Sequence, residues 1–397
     1  MTTFDRLNRP IQKKAITMNF TAKTLYGLEN VLAEELKELG ATSVEPANRA
    51  VLFTGNLELL YRVNYCCRCA LSILVSVDEF RINSKDDLYR RTLKINWSEI
   101  MDPDSRFSVV PVVNSTLFGH TGYPGLIVKD AIADHFRKKY GRRPSVDAAD
   151  PDVMVNLHIS NENVDISIDS TVVPLFKRGY RKEQGTAPLN EVLAAGILKL
   201  SGWDCTSPLS DPMCGSATIP VEAGLMAGNI PPGKFRKFFG FSRWKNYNEE
   251  LFRNVKLEND GKICRIPVRI DASDISEQAV AQAVENINSA GLTGQVSAGV
   301  MDFKDLKPVE RGGFLVFNPP YGQRLQPDEP ERLYGMIGTS LKHNFPGYRA
   351  WIITSGKEHL KNIGLKPKSK FTLYNGSIEC ILAGYELYEG SRKQGAK

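Results

Sequence analysis

Apolar positions along this chain switch repeatedly between the two-residue period of strands and the three- to four-residue period of helices, and the pattern of switching predicts three units. In the first, Ala15–Phe20 reads as a strand, and Leu28, Val31, Leu32, Leu36 and Leu39 line one face of a helix over Leu25–Leu39. Gly40 stops that helix, since a C′ glycine accepts the left-handed conformation there. Val51–Thr54 then reads as a strand and Leu57–Val63 as a helix, giving a small α+β unit over residues 1–70.

The second unit, 71–170, sets strands over Leu71–Val77, Phe107–Val113, Met154–Ile159 and Val164–Ser170 among helices over Ser84–Leu93 and Tyr123–Tyr140. The third, 171–388, carries strand and helix patterns in alternation from about residue 185, the signature of a parallel sheet covered on both faces. It finishes with Phe371–Tyr374, an Asn375-Gly376 turn and Ile378–Tyr388, a strong hairpin signal. Residues 389–397 form a tail. No repeat or low-complexity tract interrupts this order.

Composition narrows the class. Hydrophobic residues are 42% and charged residues 24% of 397, as in globular proteins. No uninterrupted apolar run approaches about 18 residues, so no membrane-spanning helix is expected. Met1–Met18 holds five charged residues and no apolar core, unlike a secretory signal. Seven cysteines without framework spacing suit reduced thiols and a cytoplasmic location. In Cys66-Cys67-Arg68-Cys69 the ligand spacing is wrong for zinc, and no second pair follows, so packing thiols and no metal are expected. His158, inside a strand, is read as a core or solvent-facing side chain rather than a ligand.

The net charge of +6 mildly favours a polyanionic partner, and its distribution says more. One basic cluster, Arg137, Lys138, Lys139, Arg142 and Arg143, ends the helix closed by Gly141; a second, Lys177, Arg178, Arg181 and Lys182, surrounds Gly179-Tyr180. A third, Lys234, Arg236, Lys237, Arg243 and Lys245, is interleaved with Phe235, Phe238, Phe239, Phe241 and Trp244. Cations neutralise phosphates and rings stack on bases, so RNA contact is one reading of such clusters, solvated faces or core the other.

Chemistry concentrates in the third unit. Asn318-Pro319-Pro320-Tyr321 follows the apolar run Phe314–Phe317, so a buried parallel strand delivers it to the carboxyl edge, where α/β sheets bind ligands. The Asn318 side-chain oxygen and the Pro319 carbonyl can each accept one N–H of an exocyclic amine, leaving the nitrogen lone pair aimed at an electrophile. Pro319 and Pro320 stiffen the turn, and Tyr321 offers a ring for a planar base. Upstream, Asp211-Pro212-Met213-Cys214-Gly215-Ser216-Ala217-Thr218 leads into a helix over Ile219–Ala227. Asp211 suits the ammonium of an amino-acid moiety, and Gly215 permits close backbone approach. Asp274, at the end of the next strand and just before a helix begun by Ser276, suits ribose hydroxyls better than Asp271. Asp302 and Phe303 follow Val296–Val300, where a carboxylate can accept an adenine amino group and a ring can pack on the purine. Each acid alone reads as a helix cap; the ordered series on successive strand ends reads as a nucleoside site.

These residues resemble a class I, Rossmann-like, S-adenosylmethionine-dependent methyltransferase with the amino-methylating Asn-Pro-Pro-Tyr motif. Over nearly the whole chain the resemblance is to THUMP-domain methyltransferases of the RlmL type, which make N2-methylguanosine in large-subunit ribosomal RNA. It is carried by Pro174–Arg181 with Ala187–Glu191, by Asp211–Thr218 and by Asn318–Gly322. The resemblance implies a ferredoxin-like domain and an RNA-binding THUMP domain before the catalytic one. It also implies S-adenosylmethionine held by Asp211, Met213, Cys214, Gly215, Ser216, Asp274, Asp302, Phe303 and Asn190. The expected partner is ribosomal RNA, as large-subunit RNA or an assembly intermediate, with no membrane partner. Two departures stand out: Ala217 replaces the family's glycine and adds a methyl beside the cofactor loop, and residues 231–265 form an insert expected to pack on the fold, bordering the cleft. The chain stops soon after the hairpin, without the second methyltransferase module of fused relatives. Two alternatives remain open from the residues: N6-adenine methylation of DNA or RNA, and a binding-only assembly factor.

Overall fold

A computed structural model describes residues 17–181, 189–320 and 329–388. Its first half is one eight-stranded sheet, built from β1 (Met18–Lys23), β2 (Thr42–Ala47), β3 (Ala50–Gly55), β4 (Ser72–Arg81), β5 (Arg106–Asn114), β6 (Ser145–Val146), β7 (Val153–Ser160) and β8 (Asn163–Asp169). The order β2-β3-β1-β4-β8-β7-β5-β6 places β4 at the seam: its first residues pair with β1 and most of its length pairs with β8. The two N-terminal units therefore share a sheet through one ten-residue strand.

Four helices cover this sheet, α1 (Glu29–Glu38), α2 (Leu57–Cys66), α3 (Lys85–Lys94) and α4 (Tyr123–Tyr140). α4 spans the residues its periodicity predicts and ends on Gly141 at φ +71°. The first strand lies three residues later than its apolar pattern predicts, and β2 has no counterpart among the predicted elements. The β2 sequence Thr-Ser-Val-Glu-Pro-Ala is polar and mostly exposed, with a proline tolerated because the strand is an edge.

The second half is a seven-stranded sheet of β9 (Leu209–Asp211), β10 (Ile270–Asp274), β11 (Val296–Val300), β12 (Gly313–Phe317), β13 (Tyr348–Thr354), β14 (Ser369–Asn375) and β15 (Ile378–Glu386), in the order β11-β10-β9-β12-β13-β15-β14. β9 to β13 are parallel; β15 runs antiparallel between β13 and β14, closing the expected hairpin at Asn375-Gly376. Alternate residues of β12 enter opposite cores: Phe314 and Val316 join α5 (Glu191–Leu200), α6 (Thr218–Ala227) and α8 (Glu277–Ser289), while Leu315 and Phe317 join α9 (Glu329–Asn344). That double burial explains why β12 reads as a continuous apolar run. The switch point, where strand order reverses, falls between β9 and β12.

The insert 231–265, which contains α7 (Glu249–Asp260), is a strut. Phe239, Phe241 and Phe252 pack with Tyr61 and Tyr65 of α2 in one aromatic cluster. Trp244 touches the cores of both N-terminal units. Four of its five clustered cations are engaged within the protein: Arg243 donates to Asp150, Lys245 to Asp102, Lys234 to Asp260, and Arg236 to the carbonyls of Val173, Pro174 and Lys177. No insert residue lines the cavity described below, so the insert packs on the fold without bordering the cleft. Cys67 and Cys69 are buried around Glu35, which accepts bonds from the Cys67 thiol and from the Arg68 and Cys69 amides. They are packing thiols, and His158 faces solvent.

Candidate active site

A cavity of about 450 Å³ opens at the carboxyl edge of the second sheet, across the switch point. Strand ends deliver its polar groups: Asp211 closes β9, Asp274 closes β10, Asp302 follows β11 and Asn318 follows β12. The structure therefore gathers the four motifs, spread over more than a hundred residues of sequence, around one space.

The turn after β9 is built to leave room. Met213 N–H donates to the Asp211 carboxylate at 3.1 Å, Gly215 takes φ +52°, and a Cβ placed on it would meet nothing within 4 Å. Asp274 ties this turn to the next strand, accepting Gly215 N–H through Oδ2 and Ser276 N–H through Oδ1, each at 2.9 Å. Asn286 of α8, itself buried, donates to the Ser216 carbonyl at 3.0 Å. Ala217, at φ +61°, directs its methyl into the apolar core and is absent from the cavity wall. The departure from glycine thus leaves the cavity clear.

Two atoms identify what the cavity can hold. Asp211 is 2% exposed and has no cationic partner among the described residues; burial pushes its carboxyl well above the usual carboxylate range. A buried acid facing a cavity without a counter-ion is costly, and a ligand ammonium relieves that cost. Asn318 Oδ1 is likewise buried without a hydrogen-bond partner among the described residues, an acceptor awaiting a donor. Both fit the expected pair of ligands, an amino-acid-bearing cofactor and an amine.

Asp302 is held low by its bonds to Lys304 and keeps its charge at the cavity wall. Phe303 lines the cavity from a buried position, its ring edge-on to Phe317. Sequence reasoning missed the apolar walls. Ile275, 70% exposed, and Met301 project at the same rim, and Leu333 and Met336 of α9 close the other side. The signal for Ile275 was present, since an apolar residue directly after a strand-end acid has no core to enter.

Other expected residues lie elsewhere. Asn190 caps α5, its side-chain oxygen accepting from Val192 and Leu193 amides, while its neighbour Leu189 lines the cavity. Pro319 is buried, and Pro320 lines the cavity. Tyr321 lies outside the described residues, as does Lys182. Arg178 is not an RNA contact: it is 1% exposed and paired with Glu222 inside the domain. Arg181 is nearly as buried and bonds Thr218 and the Leu189 carbonyl. A guanidinium reads as surface until a buried acceptor compensates its desolvation. Arg137, Lys138, Lys139, Arg142 and Arg143 are exposed, as an RNA face requires, with Arg137 paired to Asp134 and Arg142 to Asp104.

Asp271 sits at the opposite end of β10, paired with Arg269 and Ser297 and lining a different cavity. Asp274→Asn is accordingly expected to weaken S-adenosylhomocysteine binding by about 10- to 100-fold, because a charge-assisted acceptor of two backbone donors is lost. Asp271→Asn is expected to leave it within about twofold, and isothermal titration calorimetry of both variants checks the contrast.

A doubly wound sheet ended by an antiparallel hairpin, with its cavity at the switch point, is the fold of class I S-adenosylmethionine-dependent methyltransferases, and this protein is one. Residues 178–383 match the family model described as the RMKL-like methyltransferase domain, and the chain belongs to that family. Residues 19–74 match the RlmL ferredoxin-like domain and 83–169 the THUMP domain. A Synechocystis sp. protein provisionally named an RNA methyltransferase is 36% identical over 94% of this chain and 98% of its own length. A ribosomal RNA large subunit methyltransferase K/L of Methylococcus capsulatus is 37% identical over 94% of this chain, but this chain spans only 52% of it. Among solved structures, the methyltransferase-like SMU.472 in complex with S-adenosylhomocysteine superposes with a TM-score of 0.86 at 30% identity, covering 94% of this chain and 99% of that one. A Listeria monocytogenes protein described as a predicted N6-adenine-specific DNA methylase superposes at 0.84 and 27% identity, covering 95% and 97%.

Proposed function

We propose that this protein methylates the exocyclic N2 amine of a guanosine in large-subunit ribosomal RNA, in the cytoplasm, with S-adenosylmethionine as donor. The observation that carries amine methylation is the Asn318 oxygen at the switch point, buried and without a partner among the described residues, next to a cavity whose buried acid calls for an ammonium. The RNA half of the reading rests on the THUMP and ferredoxin-like segments and on relatives named for ribosomal RNA.

Bound S-adenosylmethionine supplies a sulfonium methyl open to direct in-line displacement. The chain does the rest by positioning. Asn318 Oδ1 accepts one amine hydrogen and the Pro319 carbonyl the other, which turns the nitrogen lone pair toward the cavity. Asp211 holds the ammonium end, and Asp274 the ribose. No side chain is assigned as base, because the methylated ammonium gives up its proton readily to solvent.

Nucleoside mass spectrometry after incubation with S-adenosylmethionine and unmodified ribosomal RNA or DNA tests the reading. N2-methylguanosine in RNA supports it. N6-methyladenine in DNA overturns the substrate and the base, the outcome that the name of the Listeria monocytogenes protein would favour. RNA binding without product on naked RNA or ribosomal particles favours an assembly factor.

Lys138, Lys139 and Arg143, exposed at the end of α4 and free of ion pairs among the described residues, are the expected phosphate contacts. Replacing all three with glutamine is expected to weaken RNA binding regardless of sequence. It should also flatten the slope of log K against log salt by about 2–3, measured by filter binding.

A further inference from the structure

The segment joining the THUMP sheet to the catalytic sheet grips a single helix. Arg178 and the Tyr180 hydroxyl both reach Glu222, and Arg181 reaches Thr218, one turn earlier on the same face of α6. Thr218 is the first residue of α6 and part of the cavity wall. Arg181 Nη2 donates to its hydroxyl at 2.7 Å and to the carbonyl of Leu189, another cavity residue, at 3.3 Å. Glu191 in the first turn of α5 balances the charge at 3.4 Å, and the Arg181 side chain is 9% exposed. One guanidinium therefore joins the start of α6 to Leu189, which lines the cavity just before α5, from outside the cavity lining.

We propose that Arg181 is a positioning residue of the cofactor site: it sets the first turn of α6 against Leu189, and so fixes how tightly the cavity closes on the cofactor. The inference rests on reading the cavity as the S-adenosylmethionine site. The chemistry supports positioning over RNA contact. Arg181 makes its contacts to the hydroxyl, the carbonyl and the carboxylate through Nη2, and a side chain only 9% exposed presents little of its guanidinium to a phosphate. The loop end it fixes is also the one whose backbone must present open space at Gly215. Lysine keeps the charge, but its ammonium stops one bond short of where Nη2 meets Thr218, Leu189 and Glu191, which makes it a selective probe.

The test is calorimetric titration of the full chain with S-adenosylhomocysteine, on wild type, Arg181→Lys, Thr218→Val and the double variant, with melting temperatures and RNA affinity recorded for each. Arg181→Lys and Thr218→Val are each expected to raise Kd by about 10-fold, since one charge-assisted bond is lost. In the double variant the two effects should combine to much less than their product, because both remove the same bond. RNA affinity and its salt slope should stay at wild-type values. An Arg181 that merely stabilises the fold would lower both melting temperatures and leave the effects on Kd independent, which overturns the proposal. So would Kd values within twofold of wild type, or a fall in RNA affinity with Kd unchanged, which would restore Arg181 as an RNA contact. If wild type itself fails to bind S-adenosylhomocysteine, the cofactor reading falls and this inference with it.

Discussion

Asn318→Ala is expected to lower kcat by about 30- to 1000-fold, the equivalent of roughly 2–4 kcal/mol of barrier for one oriented hydrogen-bonding group. In the proposed mechanism the side-chain oxygen is the acceptor that orients the amine, and it is buried with no hydrogen-bond partner among the described residues. Two further results distinguish this role from a structural one. S-adenosylhomocysteine affinity should hold, since the groups proposed to hold the cofactor, Asp211 and Asp274, come from other strands. The melting temperature should not fall, because removing an unsatisfied polar atom removes a desolvation cost rather than a bond. Single-turnover kinetics, calorimetry and a thermal melt together read all three. A rise in KM with unchanged kcat would mean that Asn318 only binds substrate.

Glu222→Ala is expected to cost about 3–5 kcal/mol of stability, enough to unfold a marginal domain. Glu222 is 0% exposed and receives Arg178 Nε and Nη2 at 3.3 and 3.5 Å, with the Tyr180 hydroxyl at 3.3 Å. The same guanidinium donates to the carbonyls of Arg68 and Leu175, so one buried cation joins the ferredoxin-like segment, the connecting segment and α6. Removing the acid strands that cation in the interior. Removing both partners should be far milder, so Arg178→Met with Glu222→Leu is expected to recover most of the loss. Urea midpoints of the two variants make the comparison, and equal midpoints would mean the charge pair carries no stabilisation beyond packing. The contrast matters for function because Glu222 and Thr218 share one face of the helix that begins at the cofactor loop.

Much of this architecture was legible along the chain. α4 and β11 occupy the residues that their periodicity predicts, and β12 is recognisable because both its faces are buried. The strand-end acids were legible for a related reason. In a parallel sheet every strand points its carboxyl end at the same edge, so knowing where β9, β10, β11 and β12 end is nearly enough to bring Asp211, Asp274, Asp302 and Asn318 together. Asp274 was separable from Asp271 because it stands next to the helix that Ser276 begins, although β10 ends later than its apolar run Val268–Ile270 suggests. The apolar rim was less legible, because Met301 and Met336 converge from a loop and a helix far apart in sequence.

Sequence by itself determined the class of sheet and the order of the chemical groups, since these follow from the alternation of strand and helix patterns and from the order of the motifs along the chain. Tertiary structure alone decided the fate of the charges. Arg178 meets Glu222 in the interior across 44 residues and Arg243 meets Asp150 at the surface across 93, giving cations of an RNA-like segment and an RNA-like insert partners within the protein. It also decided that the two N-terminal units share one sheet, because the second edge of β4 is filled by a strand some ninety residues later. The physical reason is common to both. A charged side chain or an open strand edge carries a desolvated or unmet bonding demand, and nothing within a few residues says whether a distant partner will satisfy it.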